Sequence, residues 1–478
     1  MEPPGQVLST LEKDGGRRWL WPRLARGRFW AARRIVAWAL IVIFVALPHL
    51  SINGKPVILL DIVHRRFTIL GVTFLPTDTI LLALGLVGWI VLIFLFTALL
   101  GRAWCGWACP QTVYLEFVFR PIERWCDGTT GRGGKPSRPP ARWRRWLKHV
   151  LYLLVSAGLA HTFLAYFVGV ENLRQWVLGS PLEHPVAFMV MAGTTGLMLF
   201  DFGYFREQMC TLACPYGRFQ SVMLDRRSLI ISYDPRRGEP RGKMRRSSDA
   251  AGQSLGDCVD CQACVTACPT GIDIRNGLQM ECIGCAQCID ACDAVMSKIG
   301  RPTGLIRYSS QEAMEGGSAR WLRPRVVFYP AILLVIGSLM AYMLARRSAA
   351  DVTILRSPGI PFAQSEDGRV LNPLRLRITN RGDRPATYEA SIVGDDGAQL
   401  VMSQNPFVVE PDAQQTVGLL VSLPREAFDK GVHHLTLRVT DDQGTEHQVQ
   451  CQLVGPLTAE GNDRHDRHDQ QDNDGEAG

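Results

Sequence analysis

The stretch TILLALGLVGWIVLIFLFTALL, residues 79–100, carries no charged side chain in 22 consecutive residues. A helix of about 20 apolar residues is long enough to cross the hydrocarbon core of a bilayer. Four further stretches, at about 35–50, 150–170, 185–205 and 326–345, are nearly uncharged and of comparable length. Together they predict five transmembrane helices, and no other feature of the sequence constrains the fold as strongly.

The first and fourth stretches are short, so a buried or re-entrant helix is the alternative for each. The first can extend back through the FWAA segment if Arg33 and Arg34 lie at the membrane interface. The chain does not open like a cleavable signal peptide, because its first 34 residues are basic and a small-residue cleavage site does not follow the first apolar run.

The loops between these stretches differ in charge. Residues 1–34 hold eight Lys and Arg and residues 101–148 hold ten, whereas 51–77 hold three and 171–184 hold one. Positively charged loops stay in the cytoplasm. The overall charge of +7 is therefore explained by membrane topology, and the basic segments are not interpreted as nucleic-acid sites.

This orientation predicts a multi-pass protein of the bacterial inner membrane with its C-terminal region in the periplasm. That region is acidic, with 11 Lys and Arg against 21 Asp and Glu from Ser348 onward. The predicted segments, in chain order, are a basic cytoplasmic N-terminus (1–34), four transmembrane helices (35–215), a cytoplasmic iron–sulfur region (216–325, with its ferredoxin-type domain at about 250–300), a fifth transmembrane helix (326–345), a periplasmic immunoglobulin-like domain (350–456) and a disordered tail (457–478).

Two cysteine runs with C-x2-C-x2-C-x3-C spacing, CVDCQACVTACP and CIGCAQCIDACD, lie in the predicted cytoplasmic region. Four thiolates at this short spacing are typical of an iron–sulfur cluster, and in two-cluster ferredoxins the fourth cysteine of each run ligates the other cluster. Zinc sites seldom crowd four cysteines into so short a segment, and disulfides do not suit a reducing compartment. The sequence therefore predicts a bacterial-ferredoxin-like α+β domain with two [4Fe–4S] clusters, the first held by Cys258, Cys261, Cys264 and Cys292 and the second by Cys282, Cys285, Cys288 and Cys268.

Two C-x3-C-P motifs, CGWACP and CTLACP, follow the second and fourth apolar stretches. Cysteines four residues apart share a helix face, and a proline directly after the second cysteine marks a break or restart of the helix. The four thiols, Cys105, Cys109, Cys210 and Cys214, are predicted to converge at the cytoplasmic membrane surface. A soft-metal site, a dithiol pair, an extra cluster and simple packing of small residues remain open for them, while Cys126 and Cys451 are interpreted as structural.

The C-terminal region contains short segments rich in β-branched residues, separated by turn sequences such as NRGDRP and DDQG. The segments are LRLRIT, TYEASIV, TVGLLVSL, HHLTLRVT and EHQVQCQLV. Short strands at such intervals predict an antiparallel, immunoglobulin-like β-sandwich.

The chain resembles the cytochrome c oxidase accessory protein family, also called CcoG, FixG or RdxA. The resemblance rests on LLDIVHRRFTILGVTFLPTDT, on FDFGYFREQMCTLACPYGRFQSVMLD with both C-x3-C-P motifs, on ISYDPRRGEPRGK, on the twin ferredoxin motif and on RVLNPLRLRITNRGDRPATYEASIVG. It spans about residues 30–455. It implies an inner-membrane iron–sulfur protein that reduces Cu(II) to Cu(I) for assembly of the cbb3-type oxidase.

On this interpretation Cys105, Cys109, Cys210 and Cys214 form a catalytic thiol site that binds copper, because thiolates prefer Cu(I). The implied partners are oxidase assembly factors and a copper transporter or chaperone, with a homodimer left open. No dinucleotide-binding fingerprint is present, so the electron donor is a soluble reductase or a quinol. A membrane electron relay between a quinone pool and a partner protein, and a non-catalytic assembly scaffold, are the alternative functions.

Overall fold

The computed structural model describes residues 8–12, 14–52, 54–75, 78–129, 140–243, 255–317, 324–382 and 384–456. The predicted disordered tail, 457–478, lies outside these residues. The chain divides into two compact units, Met1–Tyr342 and Met343–Gly478. The boundary falls near the end of the last apolar helix, in agreement with the change from hydrophobic to acidic composition in the sequence.

The helices of the described residues belong to the first unit, apart from the end of the last one. They are α1 Arg28–Ala46, α2 Thr79–Leu100, α3 Ala103–Trp107, α4 Pro110–Tyr114, α5 Arg120–Asp127, α6 Arg142–Val168, α7 Val170–Leu178, α8 Pro185–Phe200, α9 Pro215–Met223, α10 Pro235–Gly238, α11 Ala263–Thr266, α12 Gln287–Lys298, α13 Gln311–Met314 and α14 Pro324–Ala345. Single π-helical turns occur at Leu115–Phe119, Asp201–Phe205 and Met209–Ala213, and short 3₁₀ turns at Leu47–His49, Ile274–Asn276 and Arg425–Ala427.

Five helices in the described part of the chain are long and apolar enough to cross a membrane. They are Arg28–His49, Thr79–Leu100, Arg142–Val168, Pro185–Phe205 and Pro324–Ala345. Each leaves most of its surface uncovered by protein, as lipid-facing helices do. The first begins at Arg28 and includes the FWAA segment, so it starts before the predicted boundary at residue 35. The fourth reaches its full length through the π-helical turn at Asp201–Phe205.

Short strands accompany these helices in the first unit. They are β1 Ser51–Ile52, β2 Lys55–Pro56, β3 Ile58–Asp61, β4 Arg66–Ile69, β5 Val72–Phe74, β6 Ile230–Tyr233 and β7 Ile306–Ser309. The small antiparallel sheets β1–β2 and β3–β4–β5, in the loop after α1, were not predicted from the sequence.

The ferredoxin-type domain is built from an antiparallel pair, β6 and β7, and the helices α11 and α12. Ile230 pairs with Ser309 and Tyr233 with Ile306. One strand precedes the cysteine runs in the sequence and the other follows them. Its buried core includes Ile231, Ile289 and Leu305, together with several of the cysteines. Both strands lie outside the segment 250–300 in which the domain was expected.

The second unit is a sandwich of two antiparallel sheets. Its strands are β8 Ala350–Arg356, β9 Ala363–Gln364, β10 Arg369–Asn380, β11 Ala386–Val393, β12 Gln399–Met402, β13 Phe407–Val409, β14 Gln414–Pro424, β15 Val432–Asp441 and β16 Glu446–Val454. One sheet has the order β12–β14–β10–β8, with β9 paired to β10, and the other has the order β13–β11–β15–β16. Alternate residues of β10 and β14 enter the core, as period-2 patterning requires. Cys451 is a free, buried thiol in this core.

Candidate iron–sulfur and thiol site

The eight cysteines of the ferredoxin runs line two small cavities. One cavity is lined by Cys258, Cys261, Cys264 and Cys292. The other is lined by Cys268, Cys282, Cys285 and Cys288, and also touches Cys264. Each group of four therefore takes three cysteines from one run and one from the other, which is the crossed arrangement of two-cluster ferredoxins.

The donor set and the walls of both cavities fit a [4Fe–4S] cluster. Apart from the thiols, the second cavity is lined mainly by apolar side chains such as Ile231, Ile272 and Ile283. Among the described residues, no group of three or more His, Cys, Asp or Glu side chains is close enough to hold one metal ion. Four-iron clusters do not need such closeness, because each thiolate is bound to a different iron atom.

The two cysteine runs share an unusual backbone conformation. Gln262 and Ala286, each directly after the second cysteine of its run, have φ of 61°. Asp260 and Gly284, each directly before that cysteine, also have positive φ. A non-glycine residue in this region costs about 1–2 kcal/mol, and such strain concentrates at functional sites. Because the positive φ values occur at matching positions, the backbone has the same local conformation around the second cysteine of each run.

Burial changes the acidity of the ferredoxin thiols. It raises the pKa of Cys282 and of Cys285 to about 11 and that of Cys264 and of Cys292 to about 12. These groups are neutral thiols at physiological pH when no metal is bound. Binding of iron must therefore release protons, because the thiolate is the ligand.

In both C-x3-C-P motifs the helix is interrupted at the second cysteine. Cys109 and Cys214 are extended N-cap residues, with ψ of 127° and 108°, and Pro110 and Pro215 open the helices α4 and α9. Proline is well tolerated in the first turn of a helix because its missing N–H has no helical acceptor there. The predicted helix restart is thus confirmed. The expectation that each pair lies on one continuous helical face is wrong, because the helix ends between the two cysteines.

The four thiols of these motifs are gathered in one region, where Cys105 is buried and the other three are half-buried. Each of Cys105, Cys109 and Cys214 acts electrostatically on Cys210. Burial raises the pKa of Cys105 to about 11, and the neighbouring Arg102 guanidinium opposes this rise. The structure therefore brings the four thiols together without placing any three of them at the spacing of ligands to one ion.

The Cys105 thiol belongs to a polar chain. Its Sγ donates to Gln220 Oε1 at 3.1 Å, and Gln220 Nε2 in turn donates to Thr97 Oγ1 at 3.1 Å. Gln220 also donates to the Tyr216 hydroxyl at 2.7 Å. The thiol is fixed between the end of the helix α2 and the helix α9, which follows the second motif.

The first C-x3-C-P motif lies directly against the loop that carries Cys282 and Cys285. A Cβ atom on Gly106 would approach Cys285 Cα and Ile283 O to 2.7 Å, so only glycine fits. Trp107 Nε1 donates to the Tyr308 hydroxyl at 3.0 Å, and that hydroxyl donates to Gly284 O at 2.7 Å. The first motif is therefore in direct contact with the loop of the second cluster cavity, and Cys105 packs in one cluster with Ile283 and Cys285.

A buried ion network joins the two motifs and was not predicted. Arg206 donates from both Nη atoms to Glu123 at 2.9 Å each. Arg120 pairs with Glu116 and, at 3.3 Å, with Glu207. Breaking such a buried pair costs about 3–5 kcal/mol. The signal in the sequence is the charge-rich LEFVFRPIER and FREQMC segments next to the cysteines.

Gln111, directly after the first motif, is hydrogen-bonded to two residues just before the second motif. Gln111 Nε2 donates to Asp201 Oδ1 and to Arg206 O, both at 3.0 Å. Arg120 Nη2 also donates a hydrogen bond of 3.4 Å to Pro269 O, in the residue directly after Cys268. The motifs, the ion network and the second cluster cavity thus form one buried assembly.

Comparison with protein families gives three matches. Residues 205–311 match the "4Fe-4S dicluster domain", residues 81–128 match the "4Fe-4S binding domain", and residues 340–456 match the "IG-like fold at C-terminal of FixG". Iron–sulfur domains and the immunoglobulin-like domain are therefore confirmed, along with the multidomain fold class. The match at 81–128 contains the first C-x3-C-P motif and not the ferredoxin runs.

Curated relatives extend over most of the chain. The chain is 31% identical to "Nitrogen fixation protein FixG" of Rhizobium meliloti, covering 91% of this chain and 92% of that protein. It is 34% identical to "Protein RdxB" of Cereibacter sphaeroides, with 85% and 88% covered, and 32% identical to "Protein RdxA" of the same organism, with 84% and 88% covered.

Proposed function

Because this chain belongs to the FixG/RdxA family of iron–sulfur membrane proteins, we propose that it is a cupric reductase that delivers Cu(I) for assembly of a cbb3-type cytochrome c oxidase. The observation that carries the proposal is the contact of Gly106, between two of the motif thiols, with Cys285 of the ferredoxin domain. A thiol site for a soft metal thereby lies next to a cavity that fits a one-electron donor.

The proposed ligand sets follow the two cavities. Cys258, Cys261, Cys264 and Cys292 hold the first [4Fe–4S] cluster, and Cys268, Cys282, Cys285 and Cys288 hold the second. When bound, each cluster supplies or accepts one electron, which matches the single electron that converts Cu(II) to Cu(I). The chain's own contribution is to exclude water from the clusters and to hold the copper thiols against the second cavity.

Cys105, Cys109, Cys210 and Cys214 are proposed to bind copper, the substrate. Thiolates favour Cu(I) over harder ions, so they would stabilise the product of the reduction. Because burial raises the pKa of Cys105 and Cys210, binding must release their protons, and Arg102 beside Cys105 favours that release.

The location and partners form part of the same proposal. The ferredoxin-type domain lies in the cytoplasm and the β-sandwich in the periplasm, as the distribution of basic loops predicts. The partners are oxidase assembly factors and a copper transporter or chaperone, and the electron donor is unidentified.

The test is an anaerobic reaction of the reduced, purified protein with Cu(II), followed by cluster absorbance and by a Cu(I)-specific chelator. Cys109→Ser and Cys214→Ser suit this test, because serine is a preferred N-cap and preserves the start of the helices α4 and α9. Both variants should keep their iron, bind Cu(I) more weakly and reduce Cu(II) more slowly. Cys451→Ala, which removes a buried thiol of the β-sandwich, is the control and should match the wild type.

A second candidate function is an electron relay in which the motif thiols hold a third cluster. The match of residues 81–128, which contain the first C-x3-C-P motif, to a 4Fe-4S binding domain favours it. Iron analysis separates the two candidates. A copper site predicts about eight iron atoms in the wild type and in Cys109→Ser, whereas a third cluster predicts about twelve, falling to about eight in the variant.

A further inference from the structure

Arg33 is fully buried although it lies near the start of a membrane-spanning helix, α1. Its exposed fraction is 0%, whereas the next residue, Arg34, is exposed and lies over the Trp30 ring at 4.7 Å. An arginine at this position would ordinarily extend to the interface and bind lipid headgroups. Arg33 instead points into the protein, towards the first C-x3-C-P motif.

The guanidinium of Arg33 is only partly satisfied by the protein. Its Nε donates to Gly106 O at 2.8 Å. Its Nη1 and Nη2 are buried and have no hydrogen-bond partner among the described atoms. A buried donor without an acceptor costs about 1–3 kcal/mol, and more when it is charged. Such a cost indicates that an acceptor is missing from the protein atoms alone.

The surroundings of Arg33 include one of the proposed ligands of the second cluster. The ionisable groups that act on its charge are, in decreasing order, Cys285, Tyr308 and Asp290. The Tyr308 hydroxyl is already engaged with Trp107 and Gly284, and the Asp290 carboxylate accepts from Phe29 N and Trp30 N. Cys285, a proposed ligand of the second cluster, is also next to Arg33 in the fold, because Gly106, whose carbonyl accepts from Arg33 Nε, lies against the Cys285 backbone. The unpartnered donors are therefore buried beside the second cluster site.

The first cluster cavity lacks an equivalent cation among the residues that the structure describes. Arg275 lines it, but its guanidinium is paired with Asp273 and Asp260, at 2.6 and 2.5 Å. The second cavity has Arg33 beside Cys285 and Arg102 near Cys282. The second site therefore has beside it a buried guanidinium whose Nη atoms have no carboxylate partner among the described atoms.

We propose that Arg33 is a positioning residue that donates hydrogen bonds from Nη1 and Nη2 to sulfur atoms at the Cys285 side of the second cluster, and thereby raises its reduction potential above that of the first. The reduced cluster carries one more negative charge, so a buried guanidinium stabilises it more than the oxidised form. The second cluster, which adjoins the copper thiols, is thus reduced in preference to the first. This inference rests on the proposed ligand set of the second cluster and does not depend on copper.

The experiment is a potentiometric titration of the two clusters in the full-length protein, followed by electron paramagnetic resonance and preceded by iron analysis. Arg33→Gln should lower one midpoint potential and leave the other unchanged. The expected shift is at least a tenfold change in the one-electron equilibrium constant, about 59 mV. Arg34→Gln, which changes the exposed neighbour, should leave both potentials at the wild-type values.

Arg33→Lys covers the case in which Arg33→Gln fails to fold. It keeps the charge but loses the fixed fork of donors, so it should shift the same midpoint by less and change the couplings of exchangeable protons to that cluster in pulsed resonance spectra. Unchanged potentials and couplings in iron-complete Arg33→Lys or Arg33→Gln would overturn the inference. About four iron atoms in the wild type would instead overturn the proposed pair of clusters.

Discussion

The carboxylate of Asp290 accepts a hydrogen bond of 2.7 Å from the backbone N–H of Trp30. Its other oxygen accepts from Phe29 N at 3.2 Å, so a buried side chain of α12 caps the N-terminus of the first membrane-spanning helix. The N-cap residue itself is Gly27, where a Cβ would lie 2.3 Å from Asp290 Cγ. The helix that carries Cys288 and Cys292 is thereby fixed to the membrane domain.

Removing this cap should lower the thermal stability of the ferredoxin-type domain. Asp290→Asn keeps one acceptor oxygen but loses the other and the charge that favours a helix N-terminus, at a cost of about 1–3 kcal/mol. We expect the iron-loaded variant to lose its cluster absorbance at a lower temperature than the wild type. Asp293→Asn is the control, because Asp293 uses a single oxygen to accept from Gly304 N and asparagine retains one. Equal temperatures for the two variants would contradict the capping role.

The orientation of the chain can be tested with reporter fusions. A reporter after Asp249, which lies outside the described residues, should be cytoplasmic, and one after Gly394 should be periplasmic. The reason is that the positive loops remain inside and the fifth span separates the two positions. Activity of an export-dependent reporter and fluorescence of a cytoplasmic reporter measure the two sides. The same side for both fusions would mean that Pro324–Ala345 does not cross the membrane.

Features encoded by local pattern were predictable from the sequence. Uncharged length predicted the five apolar helices, and segments rich in β-branched residues between turn sequences predicted the strands β10, β11, β14, β15 and β16. The cysteine spacing predicted the grouping of thiols around the two cavities. In each case the periodicity or spacing of neighbouring residues determines the structure directly.

Features that depend on distant partners were not predictable. Arg33 was expected at the membrane interface, but its partner, Gly106 O, lies 73 residues away. Arg206 and Glu123 are 83 residues apart, so nothing in the local sequence indicates that they pair. The strand β12 and the two-residue strands β1 and β2 are too short to show a period. Tertiary contacts, rather than local preference, determine all of these.

The crossed ligand pattern predicts which cluster each substitution removes. Cys292→Ala lies in the second run but should abolish the same resonance signal as Cys258→Ala, since both cysteines line the first cavity. Cys268→Ala lies in the first run but should abolish the signal that is lost in Cys282→Ala. Each variant should keep about four of its eight iron atoms. If Cys292→Ala matched Cys282→Ala instead, the ligands would not cross between the runs.

Gly106→Ala should separate the copper thiols from the second cluster without removing a ligand. The new Cβ would lie 2.7 Å from Cys285 Cα and from Ile283 O, and both atoms belong to the backbone. One of the two loops must therefore move, at a cost of about 1–3 kcal/mol for overpacking. A larger distance between the second cluster and the copper thiols would slow electron transfer, because the rate of electron transfer falls with the distance between donor and acceptor.

We therefore expect Gly106→Ala to retain its iron and its motif thiols but to reduce Cu(II) several-fold more slowly than the wild type. Rapid anaerobic mixing of the reduced protein with Cu(II), followed by oxidation of the clusters, measures the rate. Gly85→Ala is the matched control, because Gly85 lies in α2, ahead of the motif, and no neighbouring group lies within 4 Å of the position that its Cβ would take. A wild-type rate in iron-complete Gly106→Ala would show that the contact between the two loops does not carry the electron transfer.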